Sequence, residues 1–235
     1  MGEVGTLALV GGAEWNDFCS FDKGLLEIAS TDEVVVIPTA AAYEYPDRAV
    51  EHATKYFVRL GAKVRGLDLL TRPDAFMGAI VESIERARFL YLSGGSPLHL
   101  RSVLKNTPAY QAIVTAYQNG AVLAASSAGA MVLSDPMADP RGGALTVGLG
   151  LLRNMAIVPH FDTYPKEREQ RTIALATDGV IMAGISEQTA LIRGSSGKWR
   201  VDGAGEVVVF GNGEQIAIDE IEQRISIRLN GMEPS

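Results

Sequence analysis

Short apolar runs alternate with amphipathic stretches along most of this chain, and that rhythm restricts its fold more than any other feature. Thr6–Val10, Val34–Ile37, Ala62–Leu67, Arg88–Leu92, Ala121–Ala125, Met155–Val158 and Val180–Ile185 read as buried strands. Between them lie Asp22–Ala29, Pro46–Leu60, Pro73–Ala87, Pro97–Leu104, Pro108–Asn119 and Pro165–Thr177. Most of these open with proline, whose fixed φ and missing N–H suit a first helical turn. Strands separated by helices cannot pair as hairpins, so the expectation is an α/β fold: a doubly wound, mostly parallel sheet with helices on both faces. Beyond Gly179 the pattern shortens to Ala190–Arg193, Val207–Phe210, Ile216–Ile218 and Arg224–Leu229, separated by glycine turns. These predict C-terminal antiparallel hairpins finishing one edge of the sheet. With no repeat, low-complexity segment or dividing linker, residues 1–235 are expected to form one domain.

Composition narrows the function. The 47% hydrophobic content can fill a substantial core, and a net charge of −7 argues against nucleic acid or an anionic membrane as partner. A lone cysteine, Cys19, forms no intrachain disulfide and suits a reducing compartment. The N-terminus lacks the basic segment and long apolar run of a secretory leader. The longest run of apolar and small residues, Ala121–Leu133, is shorter than the roughly 20 residues of a membrane span. A soluble, cytoplasmic protein is expected. The only histidines are His52, His99 and His160, and no cluster has metal-ligand spacing, so neither metal nor cofactor is expected.

In a parallel sheet, ligands gather beyond the carboxyl ends of the strands. The strand ends here are marked by Gly11-Gly12, Gly94-Gly95, Ser126-Ser127, Pro159-His160 and Glu187, which predicts one rim built from residues remote in sequence. Ala125-Ser126-Ser127-Ala128-Gly129 is close to the G-x-S-x-G elbow, with alanine at its first glycine. Such a turn lifts a serine hydroxyl above the sheet beside free helix N–H groups. The plain alternative is a small-residue turn where a helix packs tightly on a strand.

A hydroxyl attacks only once a base takes its proton. His160 is the histidine expected on the rim, whereas His52 falls on a polar helix and His99 in a first helical turn. Glu187 is the nearest rim carboxylate to orient it, with Asp135, Asp139 and Asp162 as competitors. The N–H of Ala128 and that of Gly94 or Gly95 are the oxyanion donors expected. Arg168 and Arg171, three apart on one helix, can hold a substrate carboxylate or simply face solvent.

Assembled in this order, the residues resemble the serine peptidase family that contains dipeptidase E and cyanophycinase, over roughly residues 7–193. The matching pieces are Val10-Gly11-Gly12-Ala13-Glu14, Tyr91-Leu92-Ser93-Gly94-Gly95, Ser127-Ala128-Gly129-Ala130, Gly148-Leu149-Gly150-Leu151-Leu152 with Pro159-His160-Phe161, Arg168-Glu169-Gln170-Arg171, and Gly184-Ile185-Ser186-Glu187-Gln188-Thr189-Ala190. The resemblance implies a flavodoxin-like, class I glutamine-amidotransferase-like fold. It implies Ser127, rather than Ser126, as nucleophile, His160 as base and Glu187 as its orienting acid. Pro97 and Val158-Pro159 depart from the cyanophycinase branch. The expected substrate is a small peptide or isopeptide, led by short peptides with an acidic N-terminal residue held by Arg168 or Arg171. The rivals are cyanophycinase-like cleavage of β-aspartyl-arginine links, glutaminase-type transfer through a cysteine, and a catalytically silent ligand-binding domain. The sequence leaves the oligomeric state open.

Overall fold

The computed structural model describes residues 4–177 and 179–228. The first five strands are β1 (Leu7–Val10), β2 (Glu33–Ile37), β3 (Lys63–Gly66), β4 (Phe89–Leu92) and β5 (Val122–Ser126). They are linked by α1 (Phe21–Ala29), α2 (Pro46–Arg59), α3 (Gly78–Glu85), α4 (Pro97–Leu104) and α5 (Pro108–Gln118). Proline occupies the first turn of α2, α4 and α5. The Ser96 and Thr107 side chains cap α4 and α5 by accepting the N–H groups of His99 and Tyr110.

Past β5 come α6 (Ala128–Leu133) and four two-residue strands, β6 (Ser134–Asp135), β7 (Met137–Ala138), β8 (Leu145–Thr146) and β9 (Leu152–Arg153). The remainder comprises β10 (Met155–Pro159), α7 (Lys166–Ile173), β11 (Ile181–Ile185), β12 (Thr189–Arg193), β13 (Trp199–Gly203), β14 (Val207–Gly211), β15 (Glu214–Ile216), α8 (Ile221–Arg224) and β16 (Ser226–Ile227).

The main sheet has seven strands in the order β13-β12-β1-β5-β4-β2-β3. It is parallel from β1 to β3, and β12 and β13 close its edge antiparallel. Strand alternation sorts the side chains between two faces. Leu7, Leu9, Leu90 and Leu92 pack on one face with α4, α5 and α6, while Ala8, Val10, Phe89 and Tyr91 pack on the other with α1 and α2. This is the expected doubly wound α/β fold.

Three particulars differ from the sequence reading, one being that the expected run Arg224–Leu229 begins in α8 and pairs through β16 with β9 in a further sheet. The runs at Met155–Val158 and Val180–Ile185 do not join the main sheet; they form β10 and β11 of a second sheet, ordered β10-β11-β14-β15. The C-terminal hairpins accordingly divide. β12–β13 finishes the main sheet, and β14–β15 extends the second. Periodicity states that a run is buried but not against which neighbours. Leu229, the end of the last expected run, lies outside the described residues. Among the described residues no helix is long and apolar enough to cross a membrane.

Candidate active site

The junction of β5 and α6 is a sharp turn. Ser126 closes the strand, fully buried, and Ser127 takes φ 47 and ψ −108 before α6 begins at Ala128. A non-glycine residue in that region is strained and is held by its surroundings. Here the Ser127 N–H donates to Val10 O at 2.9 Å, and its carbonyl accepts the Met131 N–H at 2.9 Å. Ala125 is accommodated because it lies within β5, paired with Leu9 and Leu92, ahead of the strained residue. Gly129 has no such room, since a Cβ there would stand 2.7 Å from Leu92 O. Of the two glycine positions in the elbow pattern, only the second is sterically required in this chain.

His160 follows β10 in a left-handed conformation, φ 54 and ψ 35, and its N–H donates to Gly11 O at 2.7 Å. The imidazole thus comes from the second sheet to the elbow of the first. Ser127 Oγ lies 2.8 Å from His160 Nε2, and His160 Nδ1 lies 2.7 Å from Glu187 Oε1. A carboxylate only accepts, so Nδ1–H donates to Glu187 and Nε2 faces the serine hydroxyl as acceptor. Glu187 stands in the link that carries the chain from β11 to β12, between the two sheets. Its N–H donates to Asp162 Oδ1 at 2.9 Å, so Asp162 supports Glu187 rather than competing for the imidazole. Asp139 is turned to Arg141, whose guanidinium holds its carboxyl down at about 2.

A cleft of about 240 Å³ opens beside this trio, lined among others by Gly95, Ser127, Ala128, His160, Tyr164 and Arg168. A larger hollow of about 360 Å³, bordered by Asp47, Glu51 and Asp68, contains none of these groups. The two expected glycine donors part company. The Gly94 N–H donates to Glu14 Oε1 at 3.0 Å, whereas Gly95 lines the cleft. Ala128, at the first position of α6, has an N–H without an intrahelical acceptor.

The two arginines also separate. Arg168 reaches the cleft, with its guanidinium 4.2 Å from the Tyr164 ring centre and one N–H donating to Pro140 O at 2.5 Å. Arg171 is exposed, and its Nε donates to the Glu167 carbonyl of its own helix, outside the lining of the cleft.

The other histidines and the cysteine have structural surroundings. His99 Nε2 lies 2.9 Å from Leu70 O, and His52 meets the Trp15 ring edge-on. Cys19 is buried in the β1–α1 link, where burial pushes its thiol up to about 11, far from the range of a reactive thiolate. Among the described residues no three His, Cys, Asp or Glu side chains are grouped to hold a metal ion.

Two residues to which the sequence reading gave no individual role complete the site. Gly12, at φ +117, lies against His160, and Glu14 joins Gly94 to Ser126. Both belong to the segment just past β1, and the glycine pair was its visible signal.

A strained serine at a strand–helix turn, with imidazole and carboxylate in line, is the arrangement of a nucleophilic hydrolase site. The model of peptidase family S51 matches residues 7–198, and the chain belongs to that family: it is a peptidase. A crystal structure of a peptidase from an acI-B1 actinobacterium superimposes with a TM-score of 0.79 at 32% identity, covering 92% of this chain and 98% of that one. A cyanophycinase of Synechococcus elongatus is 29% identical over 232 residues, which is 88% of this chain and 68% of that protein. An uncharacterised peptidase of Listeria innocua is 27% identical over 168 residues, 68% of this chain and 79% of that protein.

Proposed function

We propose that this chain is a serine-type peptidase that cleaves short peptides or isopeptides through an acyl-enzyme, with Ser127, His160 and Glu187 as its triad. The observation that carries this reading is the continuous path Ser127 Oγ–His160 Nε2 and His160 Nδ1–Glu187 Oε1, at 2.8 and 2.7 Å. Ser127 Oγ attacks the scissile carbonyl while Nε2 takes its proton, and Glu187 stabilises the imidazolium that forms. The N–H groups of Gly95 and Ala128 receive the oxyanion. Collapse of the tetrahedral species breaks the C–N bond, and His160 returns the proton to the leaving amine. Water, deprotonated by the same imidazole, then hydrolyses the ester. Nucleophile, base and oxyanion donors are all supplied by the chain, so the cycle is independent of metal.

Arg168 is the group in the cleft suited to an acidic side chain at the N-terminal residue of the substrate. Arg171, turned to solvent, is left out of this contact. A second substrate is the β-aspartyl-arginine link that the family resemblance implies, a reading supported by the likeness to a cyanophycinase.

The test is a peptide panel with and without chelator, read by mass spectrometry for wild type, Ser127→Ala and Arg168→Glu. It contains α-Asp-X and β-Asp-X dipeptides, β-Asp-Arg and neutral dipeptides. Wild type is expected to cleave acidic members regardless of chelator. Ser127→Ala is expected to lose at least about 10³-fold in turnover, and Arg168→Glu to raise KM for acidic peptides. Undiminished turnover by Ser127→Ala refutes the assignment. A wild type silent throughout, with Ser127 unlabelled by a fluorophosphonate, supports the ligand-binding alternative.

A further inference from the structure

Glu14 has no part in the triad, yet its carboxylate touches both walls of the site. Oε1 accepts the Gly94 N–H at 3.0 Å, and Oε2 accepts the Ser126 hydroxyl at 2.7 Å. Glu14 follows β1, Gly94 follows β4 and Ser126 ends β5, so one side chain ties three strand ends that adjoin in the sheet. The packing there is close. A Cβ on Gly94 would stand 3.3 Å from Glu14 Oε1 and 3.4 Å from Ser127 Cβ.

The two walls are not equally secured without it. The elbow is fixed by the Ser127 N–H bond to Val10 and by the first turn of α6. The opposite wall is a glycine pair, whose conformational freedom is the widest of any residue. The Gly95 turn is pinned on its far side by the Ser96 N–H bond to Ala40 O at 2.8 Å. On its near side, the Gly94 N–H is held by Glu14. A carboxylate suits this place because its two oxygens take an N–H and an O–H at once, and charge-assisted bonds are about twice as strong as neutral ones.

We propose that Glu14 is a positioning residue for acyl transfer, holding the Gly94-Gly95 turn against the elbow so that the Gly95 N–H stays aimed at the developing oxyanion. This inference rests on the serine-peptidase reading. It predicts an effect on the chemical step, because the oxyanion forms only there, and little effect on ground-state binding.

The experiment compares wild type, Glu14→Ala, Glu14→Gln, Glu14→Asp and Ser127→Ala by steady-state kinetics, fluorophosphonate labelling rate and thermal melting. Glu14→Ala should lower kcat by about 10²-fold, the scale of a catalytic group displaced by about 1 Å. KM should change little, and the labelling rate should fall in parallel. Glu14→Gln should recover most of kcat, since its carbonyl accepts from Gly94 while its NH₂ donates to Ser126 Oγ. Glu14→Asp keeps the charge one methylene short, and should lose kcat at an unchanged melting temperature. That variant carries the test should Glu14→Ala fail to fold. Wild-type kcat in Glu14→Ala or Glu14→Asp overturns the proposal. So does a Glu14→Gln variant as impaired as Glu14→Ala with the loss in KM, the result expected of a carboxylate that binds a substrate ammonium. Ser127→Ala separates the two claims, because an active Ser127→Ala rejects the triad whatever Glu14 does.

Discussion

The position of His160 depends on the absence of a side chain at Gly12. A Cβ there would stand 2.7 Å from both ring nitrogens and nearer still to Cε1, and the backbone holds φ +117, which L side chains rarely adopt. Gly12→Ala should push the imidazole off the line between Ser127 and Glu187 and lower turnover by about 10²-fold or more. Turnover and phosphonate labelling, read against circular dichroism, check this, and full activity in a folded variant rejects it. The glycine pair was visible in the sequence as the end of a strand, but the ring it admits comes from β10 and only the folded chain brings them together. The Ser126-Ser127 pair, His160 and Glu187 were legible as candidates because they stand at or just past strand ends, where a parallel sheet gathers its ligands. The choice of Ser127 over Ser126 came from the family resemblance. Glu14 was not, since its partners Gly94 and Ser126 lie on other strand ends. Helical spacing put Arg168 and Arg171 on one face; three residues of α7 are enough to send one into the cleft and the other to solvent.

At the scale of elements, the continuous apolar runs of β1, β2, β4 and β5 marked them as buried strands, and the two-residue period of a strand then divides their side chains between the two faces of the main sheet. Assignment of β10 and β11 to a second sheet was out of reach, because it depends on long-range pairing and not on local pattern. Helix α1 holds a further departure from pattern. Asp22, in its first turn, is fully buried with neither carboxyl oxygen hydrogen-bonded among the described residues, while the nearby Tyr56 hydroxyl donates to Cys19 O at 2.8 Å. Burial therefore holds the Asp22 carboxyl well above the ordinary carboxylate range. Above the unfolded value of about 3.9, the unfolded chain releases this proton while the folded chain keeps it. Stability is lost as pH rises from there through the folded value, with a slope of at most about 1.4 kcal/mol per pH unit from this group. Asp22→Asn keeps the shape and removes the titration. Urea melts between pH 4 and 8 should show the variant more stable than wild type at pH 8, with the gap closing toward pH 4. A gap independent of pH would mean that Asp22 is not the source.

The two largest sheets meet at the site, the elbow coming from one and the imidazole from the other, so what joins them sets the working stability of the molecule. After β15 the chain returns from the second sheet to the hairpin of the first through α8. Ile221 is fully buried there, and Glu222 accepts from Arg193 Nε at 2.9 Å, from a second Arg193 N–H at 2.5 Å and from Trp199 Nε1 at 2.9 Å. Arg193 ends β12 and Trp199 starts β13, so this carboxylate clips the C-terminal segment to the edge of the main sheet. The Arg193 side chain is only 11% exposed, and losing its partner would leave a guanidinium in poor solvent contact. Glu222 is itself 39% exposed, which keeps the cost below the 3–5 kcal/mol or so of breaking a fully buried pair. Glu222→Ala should therefore destabilise by about 2 kcal/mol at pH 7, measured by chemical denaturation, with kcat of the folded enzyme unchanged because the clip lies away from the cleft. The Arg193 guanidinium holds the Glu222 carboxyl below its ordinary value. The stability it contributes is thus complete above about pH 4.3 and is lost as pH falls through the lower folded value. The difference between wild type and Glu222→Ala should shrink in acid. A difference that persists undiminished at pH 2, or a loss of kcat at full folding, would show that Glu222 acts by something other than this ion pair.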